Sequence, residues 1–200
     1  VFVYYGSATG INTVADLILQ NDHANDNFGS DVACAGDINN DGYSDVIIGG
    51  FLSSYPTLNE GAAWVYLGSA TGLNPVAIHR LERNQGGAFF GSSVAGAGDI
   101  NGDGFSDVII GSSKFVYTSG ASDQGSAFVY YGSAIGLGIG VNPPFGTQLF
   151  GTGNNVGYYG WWVTCAGDLN GDGFSDVAVS AYQDEIGAQT DEGLVHVYHG

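Results

Sequence analysis

The chain repeats itself three times, and no other feature of its sequence limits the fold so strongly. Phe28-Gly29-Ser30-Asp31-Val32-Ala33-Cys34-Ala35-Gly36-Asp37 returns as residues 90–99 and, more loosely, as residues 159–168. Each copy runs into the same acidic loop: Asp37-Ile38-Asn39-Asn40-Asp41-Gly42-Tyr43-Ser44-Asp45, then residues 99–107, then residues 168–176. A β-branched run follows each time (Val46-Ile47-Ile48, Val108-Ile109-Ile110, Val177-Ala178-Val179). A third shared element spans residues 61–68, 125–132 and 193–200, with a further copy at residues 1–6. The first loop positions, Asp37, Asp99 and Asp168, are separated by 62 and 69 residues. A period of this size means that each copy is one supersecondary unit, which buries its apolar face by stacking on its neighbour.

Within the middle copy, four strand-like runs lie near residues 92–98, 107–111, 126–131 and 147–150, each bounded by Gly, Asn or Asp. No segment shows a capped 3.6-residue period. The expectation is therefore an all-β chain made of four-stranded blades of a β-propeller-type array. The division reads as residues 1–27 for the last two strands of a partial blade, 28–89 and 90–158 for two whole blades, and 159–200 for a blade lacking its last strand. About three blades do not close an ordinary propeller. The expectation is a larger propeller or an assembly of copies. The seven residues that lengthen the second period are placed in a surface loop at residues 136–146, where Gly and Pro cluster.

Composition narrows the partners. Twenty acidic residues face three basic ones, for a net charge of −17 over 200 residues. Nucleic acid is excluded as a partner, because almost nothing could neutralise its phosphates. Apolar residues make up 44 %, enough for a packed core, and no apolar run approaches the roughly 20 residues that insertion into a membrane requires. Cations are the natural counter-charge.

The acidic loop reads Asp-x-Asn-x-Asp-Gly-x-x-Asp in all three copies. Oxygens at positions 1, 3 and 5 converge when such a loop curls, and Gly at position 6 permits the turn. The backbone carbonyl at position 7 (Tyr43, Phe105, Phe174) and the carboxylate at position 9 complete a shell of oxygens suited to Ca²⁺. An EF-hand starts alike but needs Glu at position 12 and a following helix; here position 12 is Ile48, Ile110 or Val179, in a strand-like run. Asp, Asn and Gly also serve as plain turn formers. Three loops in register, each crowding carboxylates that repel one another without a cation, favour the metal reading.

These residues together resemble the FG-GAP repeat, as found in the N-terminal β-propeller of integrin α subunits. The resemblance rests on the Phe-Gly opening, the nine-residue acidic loop and the hydrophobic-Gly run, and it spans nearly the whole chain. It implies antiparallel blades with Ca²⁺ in the loop joining the first two strands. The implied ligands are Asp37, Asn39, Asp41, Tyr43 (carbonyl) and Asp45; Asp99, Asn101, Asp103, Phe105 (carbonyl) and Asp107; and Asp168, Asn170, Asp172, Phe174 (carbonyl) and Asp176. It further implies an extracellular or cell-surface module for adhesion or for recognition of a protein or glycan ligand. The third copy departs from the pattern with Tyr159-Gly160-Trp161-Trp162, and Val46-Ile47-Ile48-Gly49-Gly50 stands where the Gly-Ala-Pro element belongs.

The remaining residues carry less. Cys34 and Cys165 occupy equivalent positions two repeats apart, too far for a disulfide, and read as small buried residues. His196 and His199 sit three apart at a strand end and face opposite sides. Alternate aromatic positions on the third strand (Phe2, Tyr4, Trp64, Tyr66, Phe128, Tyr130, with His196 and Tyr198) read as inter-blade core, with sugar-stacking platforms as the other reading. Tyr158, Tyr159, Trp161 and Trp162 form a denser cluster that is a candidate ligand or partner surface. No nucleophile elbow or zinc-protease motif is present, and the acid pairs Asp184-Glu185 and Asp191-Glu192 have no convergent partner, so no catalytic residue is assigned and the chain is read as a non-enzyme. Two other roles stand beside recognition: a structural subunit of a surface layer or filament, built of copies of the chain, and the non-catalytic propeller part of a secreted hydrolase.

Overall fold

The computed structural model describes residues 1–21, 23–118, 123–138, 140, 142, 144–151, 157–184 and 192–200. Among them there are strands and no α-helix. Four short strands come first: β1 (Phe2–Val3), β2 (Gly6–Ser7), β3 (Gly10–Ile11) and β4 (Leu17–Ile18). β1 pairs with β4, and β2 with β3. Then come two four-stranded sheets, each an antiparallel meander in chain order. The first holds β5 (Asp31–Gly36), β6 (Asp45–Gly50), β7 (Ala62–Tyr66) and β8 (His79–Leu81). The second holds β9 (Phe90–Gly98), β10 (Asp107–Ser112), β11 (Ser126–Tyr130) and β12 (Thr147–Phe150). A three-stranded sheet follows, of β13 (Tyr159–Gly167), β14 (Asp176–Ala181) and β15 (Leu194–Tyr198). The middle sheet falls on the runs expected from the sequence.

The sheets stack, and the period-2 geometry of a strand explains how. On β10, Val108 and Ile110 enter the core shared with the first sheet, whereas Ile109 enters the core shared with the third. On β11, Phe128 and Tyr130 face the first sheet, and Ala127 and Val129 face the third. Both faces of the middle sheet are thus buried, which is why Val108-Ile109-Ile110 is a continuous apolar run rather than an alternating one. A third core joins Ile48, Trp64 and Tyr66 of the first sheet to Leu19, Val1, Val3 and Leu17 of the N-terminal segment.

Polar links tie neighbouring inner strands. Val94 N–H donates to Asp31 Oδ2 (2.9 Å), and Val163 N–H donates to Ser93 Oγ (3.2 Å). Isolated parallel bridges, Gly61 with Phe90 and Gly125 with Tyr159, stitch the same neighbours at the strand entrances.

Two expectations change. Cys34 is exposed and Cys165 half-buried, each on the edge strand of its sheet; both are free thiols. Phe2 (63 % exposed) and Tyr4 (44 %) are outside the core that their counterparts Trp64 and Tyr66 enter, because no sheet covers them. The expected surface loop at 136–146, described at 136–138, 140, 142 and 144–146, is exposed at 140, 142, 144 and 146 and anchored at its start. Leu137 is buried, and its N–H donates to Nε2 of buried His79 (3.2 Å). The other ring nitrogen, Nδ1, lies 2.9 Å from Gly140 O. Since Nε2 must accept, Nδ1 carries the proton and the imidazole is neutral. Burial lowers its pKa from the ordinary 6.5.

Candidate metal centres

The three acidic loops join equivalent strands, β5 to β6, β9 to β10 and β13 to β14. They close by the same hydrogen bonds. Asp37 Oδ1 accepts from Asp41 N–H (3.0 Å) and Oδ2 from Gly42 N–H (2.8 Å). Asp99 accepts from Asp103 and Gly104 (3.2 and 2.9 Å), and Asp168 from Asp172 and Gly173 (3.1 and 3.0 Å). The Asn Oδ1 at position 3 accepts from the N–H at position 5 in each loop, and its amide donates to Oδ2 of the position-5 Asp (Asn39–Asp41, Asn101–Asp103, Asn170–Asp172). The other oxygen of that Asp accepts from the N–H of Tyr43, Phe105 or Phe174, each at 3.0 Å.

The position-9 carboxylate does something the spacing does not reveal. Asp45, Asp107 and Asp176 are wholly buried. One oxygen of each reaches back to its own loop, accepting from Ile38, Ile100 or Leu169 N–H (2.9, 2.9 and 2.7 Å). The other reaches beyond the third strand, accepting from Gly68, Gly132 or Gly200 N–H (2.8, 2.8 and 3.1 Å). That glycine is required by close approach: a Cβ on Gly132 would stand 2.4 Å from Ser106 O and 2.8 Å from Ile38 O. Successive loops also touch one another, through Ser106 N–H to Asp37 O (3.0 Å) and Ser175 N–H to Asp99 O (2.9 Å).

Electrostatics records the crowding. Burial pushes Asp107 up to about 6 against the pull of its two backbone N–H donors, and the charges of Asp103 and Asp99 push it further. Asp45 rises for the same reasons, with Asp41 and Asp37 as the neighbouring charges. Burial also pushes Asp176 up, but the N–H groups of Leu169 and Gly200 and the nearby His199 imidazole (3.2 Å) outweigh it, and its pKa is lowered. No Lys or Arg stands in any of the loops. Among the described residues, no three Asp, Glu, His or Cys side chains converge closely enough to hold an ion by themselves. A shell at these loops has to include the neutral Asn oxygen and the position-7 carbonyl. The donor chemistry fits a hard cation: every donor is oxygen, and the carboxylates repel with no Lys or Arg among them.

His196 and His199 do not meet. His196 stacks on Tyr198 and lies 3.7 Å from buried Asp184, whereas His199 is on Asp176. Glu185 and Asp191 lie outside the described residues. The aromatic cluster divides. Tyr159 is core, its hydroxyl 2.8 Å from that of Tyr198, while Tyr158, Trp161 and Trp162 line a cavity of about 470 Å³ at the opposite ends of the strands. Lys114, the single lysine, and Ser113 join them there. Sequence reading passed over both; the rarity of lysine in so acidic a chain was the available signal.

Stacked antiparallel blades, each with an Asp/Asn loop between its first two strands, define the class as a β-propeller-type repeat module. The FG-GAP-like repeat profile matches residues 37–110, and the FG-GAP repeat profile matches residues 160–198. Among characterised proteins the chain is similar to integrin alpha pat-2 of Caenorhabditis elegans (38 % identity over 173 residues, 78 % of this chain and 13 % of the relative). It is also similar to integrin alpha-4 of Xenopus laevis (32 % over 162 residues, 78 % and 14 %) and human integrin alpha-6 (32 % over 168 residues, 80 % and 13 %). The chain belongs to the FG-GAP repeat family, and it spans about one-seventh of the length of these relatives.

Proposed function

We propose that the chain is an extracellular or cell-surface FG-GAP propeller module that recognises a protein or glycan ligand in adhesion. Its repeat units are residues 28–89, 90–158 and 159–200, with residues 1–27 belonging to a preceding blade, and it performs no catalysis. Ca²⁺ is structural. It would be held in three loops by Asp37, Asn39, Asp41, Asp45 and the Tyr43 carbonyl, and by the corresponding residues at 99–107 and 168–176. Bound there, it supplies charge neutralisation. The chain's own part is to fix the loop by Asx turns and to anchor it through the buried position-9 carboxylate.

The observation that carries this reading is that three loops 62 and 69 residues apart in sequence adopt the same hydrogen-bonded form, each with crowded carboxylates and no Lys or Arg. Isothermal titration of the chelated protein with CaCl₂ is expected to show three sites. An array of extracellular matrix proteins and glycans, probed with the chain in Ca²⁺ and in EGTA, is expected to show calcium-dependent retention. No heat of binding would refute the metal, and no retention on any spot would refute recognition.

A further inference from the structure

The cavity at the opposite ends of the strands gathers side chains from all three sheets. Phe51 follows β6, Phe89 precedes β9, Lys114 follows β10, Tyr158 precedes β13, Trp161 and Trp162 lie in the first half of β13, and Tyr182 follows β14. Its volume of about 470 Å³ is that of a small-ligand site. The rings stand in two groups that Lys114 bridges: Tyr158 stacks on Tyr182 (5.2 Å between centroids) and Trp161 meets Tyr182 edge-on (4.8 Å), while Phe51 meets Phe89 (5.5 Å).

Three observations mark this cavity as built for an occupant. Phe89 and Tyr158 hold left-handed backbone angles (φ 57° and 48°), where a bulky side chain is a true outlier. The equivalent residue of the first repeat is Asn27 (φ 52°), a type that tolerates the conformation. Two aromatic rings are thus kept at strained positions where Asn would be easier, and strain of this kind gathers at binding sites. Second, the Ser113 hydroxyl at the cavity wall is wholly buried and has no hydrogen-bond partner. Third, Trp161 and Trp162 are 44 % and 60 % exposed, an unusual cost for indoles on a surface this acidic.

Lys114 decides the charge of the occupant. Its ammonium lies over Phe89 (5.0 Å) and Tyr158 (5.7 Å), and it enters no ion pair among the described residues. Already seated on the ring faces, it excludes a cationic ligand and offers the one positive charge at the site. Flat rings match the C–H faces of a sugar, and the unpaired Ser113 hydroxyl matches a sugar hydroxyl. An acidic peptide would bring main-chain amides that the aromatic wall leaves unpaired. We infer that this cavity binds one carboxylate-bearing sugar unit of an acidic glycan. This deepens the recognition role proposed above by naming the ligand class and the place.

The test uses the intact chain in millimolar Ca²⁺. Trp161 and Trp162 are two of the three tryptophans, and the third, Trp64, is buried, so intrinsic fluorescence reports on the cavity. Trigalacturonate, a hyaluronan tetrasaccharide and sialyllactose are titrated against galactotriose and lactose, with hexaglutamate as the peptide arm. At least one acidic sugar is expected to give a saturable change, about tenfold tighter or better than the neutral sugars. Lys114→Gln is expected to abolish that preference, bringing acidic-sugar affinity down to the level of the neutral sugars, and Trp162→Ala to weaken both, each with an unchanged melting temperature. No response to any acidic sugar, equal affinity for acidic and neutral sugars, or a response to hexaglutamate alone overturns the assignment. Calcium-dependent retention on the array that survives in Lys114→Gln leaves recognition standing and removes this cavity from it. Loss of all array binding in the wild type removes both.

Discussion

Within one loop, two aspartates that look alike in sequence should respond in opposite ways to chelation. Asp41 is exposed, and its partners, the Asn39 amide and Tyr43 N–H, are at the surface where water can replace it. Asp45 is wholly buried and holds Ile38 N–H and Gly68 N–H. Modules outside the cell bind Ca²⁺ at roughly 10⁻⁴–10⁻³ M. Calcium at tenfold excess over the dissociation constant then adds about 1.4 kcal/mol per loop, or about 4 kcal/mol for three. For a chain of this size each kcal/mol moves the melting temperature by about 2–4 °C. EGTA should therefore lower the wild-type Tm by about 8–16 °C. Asp41→Ala should cost about 3–6 °C in Ca²⁺ and almost nothing in EGTA, because the loop it serves is then empty in both proteins. Asp45→Ala strands two buried N–H donors, at about 1–3 kcal/mol each, and should remain well below wild type in EGTA as well. Scanning calorimetry of the three proteins in both buffers decides the matter. If Asp41→Ala lowers Tm equally with and without calcium, the loops are plain turns and the metal has no place in the fold.

Other outcomes test the architecture. Phe128 is fully buried between the first two sheets, against Phe90, Phe115 and Phe145, so Phe128→Ala should cost about 3–5 kcal/mol in urea unfolding, and a loss under 1 would deny that core. Gly132→Ala forces a methyl against Ser106 O and Ile38 O and should cost about 1–3 kcal/mol or more, whereas Gly10→Ala, with open space around it, should cost about 1 from its backbone angle alone; equal costs would show that close approach is not the reason for the repeated glycine. His79 has a folded pKa below its unfolded 6.5, so on acidification the unfolded chain takes up the proton first. Its contribution is complete above pH 6.5 and is lost as the pH falls from there through the depressed folded value. His79→Gln should flatten the fall of Tm between pH 7.5 and 5, and parallel profiles would refute the neutral buried imidazole.

What the sequence could and could not disclose follows the distance over which each interaction acts. The loops were legible because their partners lie within seven residues: Asp37 bonds to Asp41 and Gly42, and Asn39 to Asp41. The blades were legible because a strand covered on both faces must be apolar at every position, as Val108, Ile109 and Ile110 are. The second duty of Asp45 and Asp107 was hidden, since the glycines they hold are 23 and 25 residues on. Cys34 misled because a small apolar residue in a strand was read as covered, and whether that strand lies at the edge of its sheet is decided by its partners. The cavity was hardest to see. Phe51, Lys114 and Tyr182 follow the second strands of three sheets and meet only when the blades stack. Repetition therefore fixes what each blade shares, whereas the site that distinguishes this chain is made where the copies differ: Asn27 against Phe89 and Tyr158, and Asp31 and Ser93 against Trp162. A repeat protein keeps its architecture in the residues that recur and can vary its ligand through those that do not, because substitutions at strand ends leave the inter-sheet cores untouched.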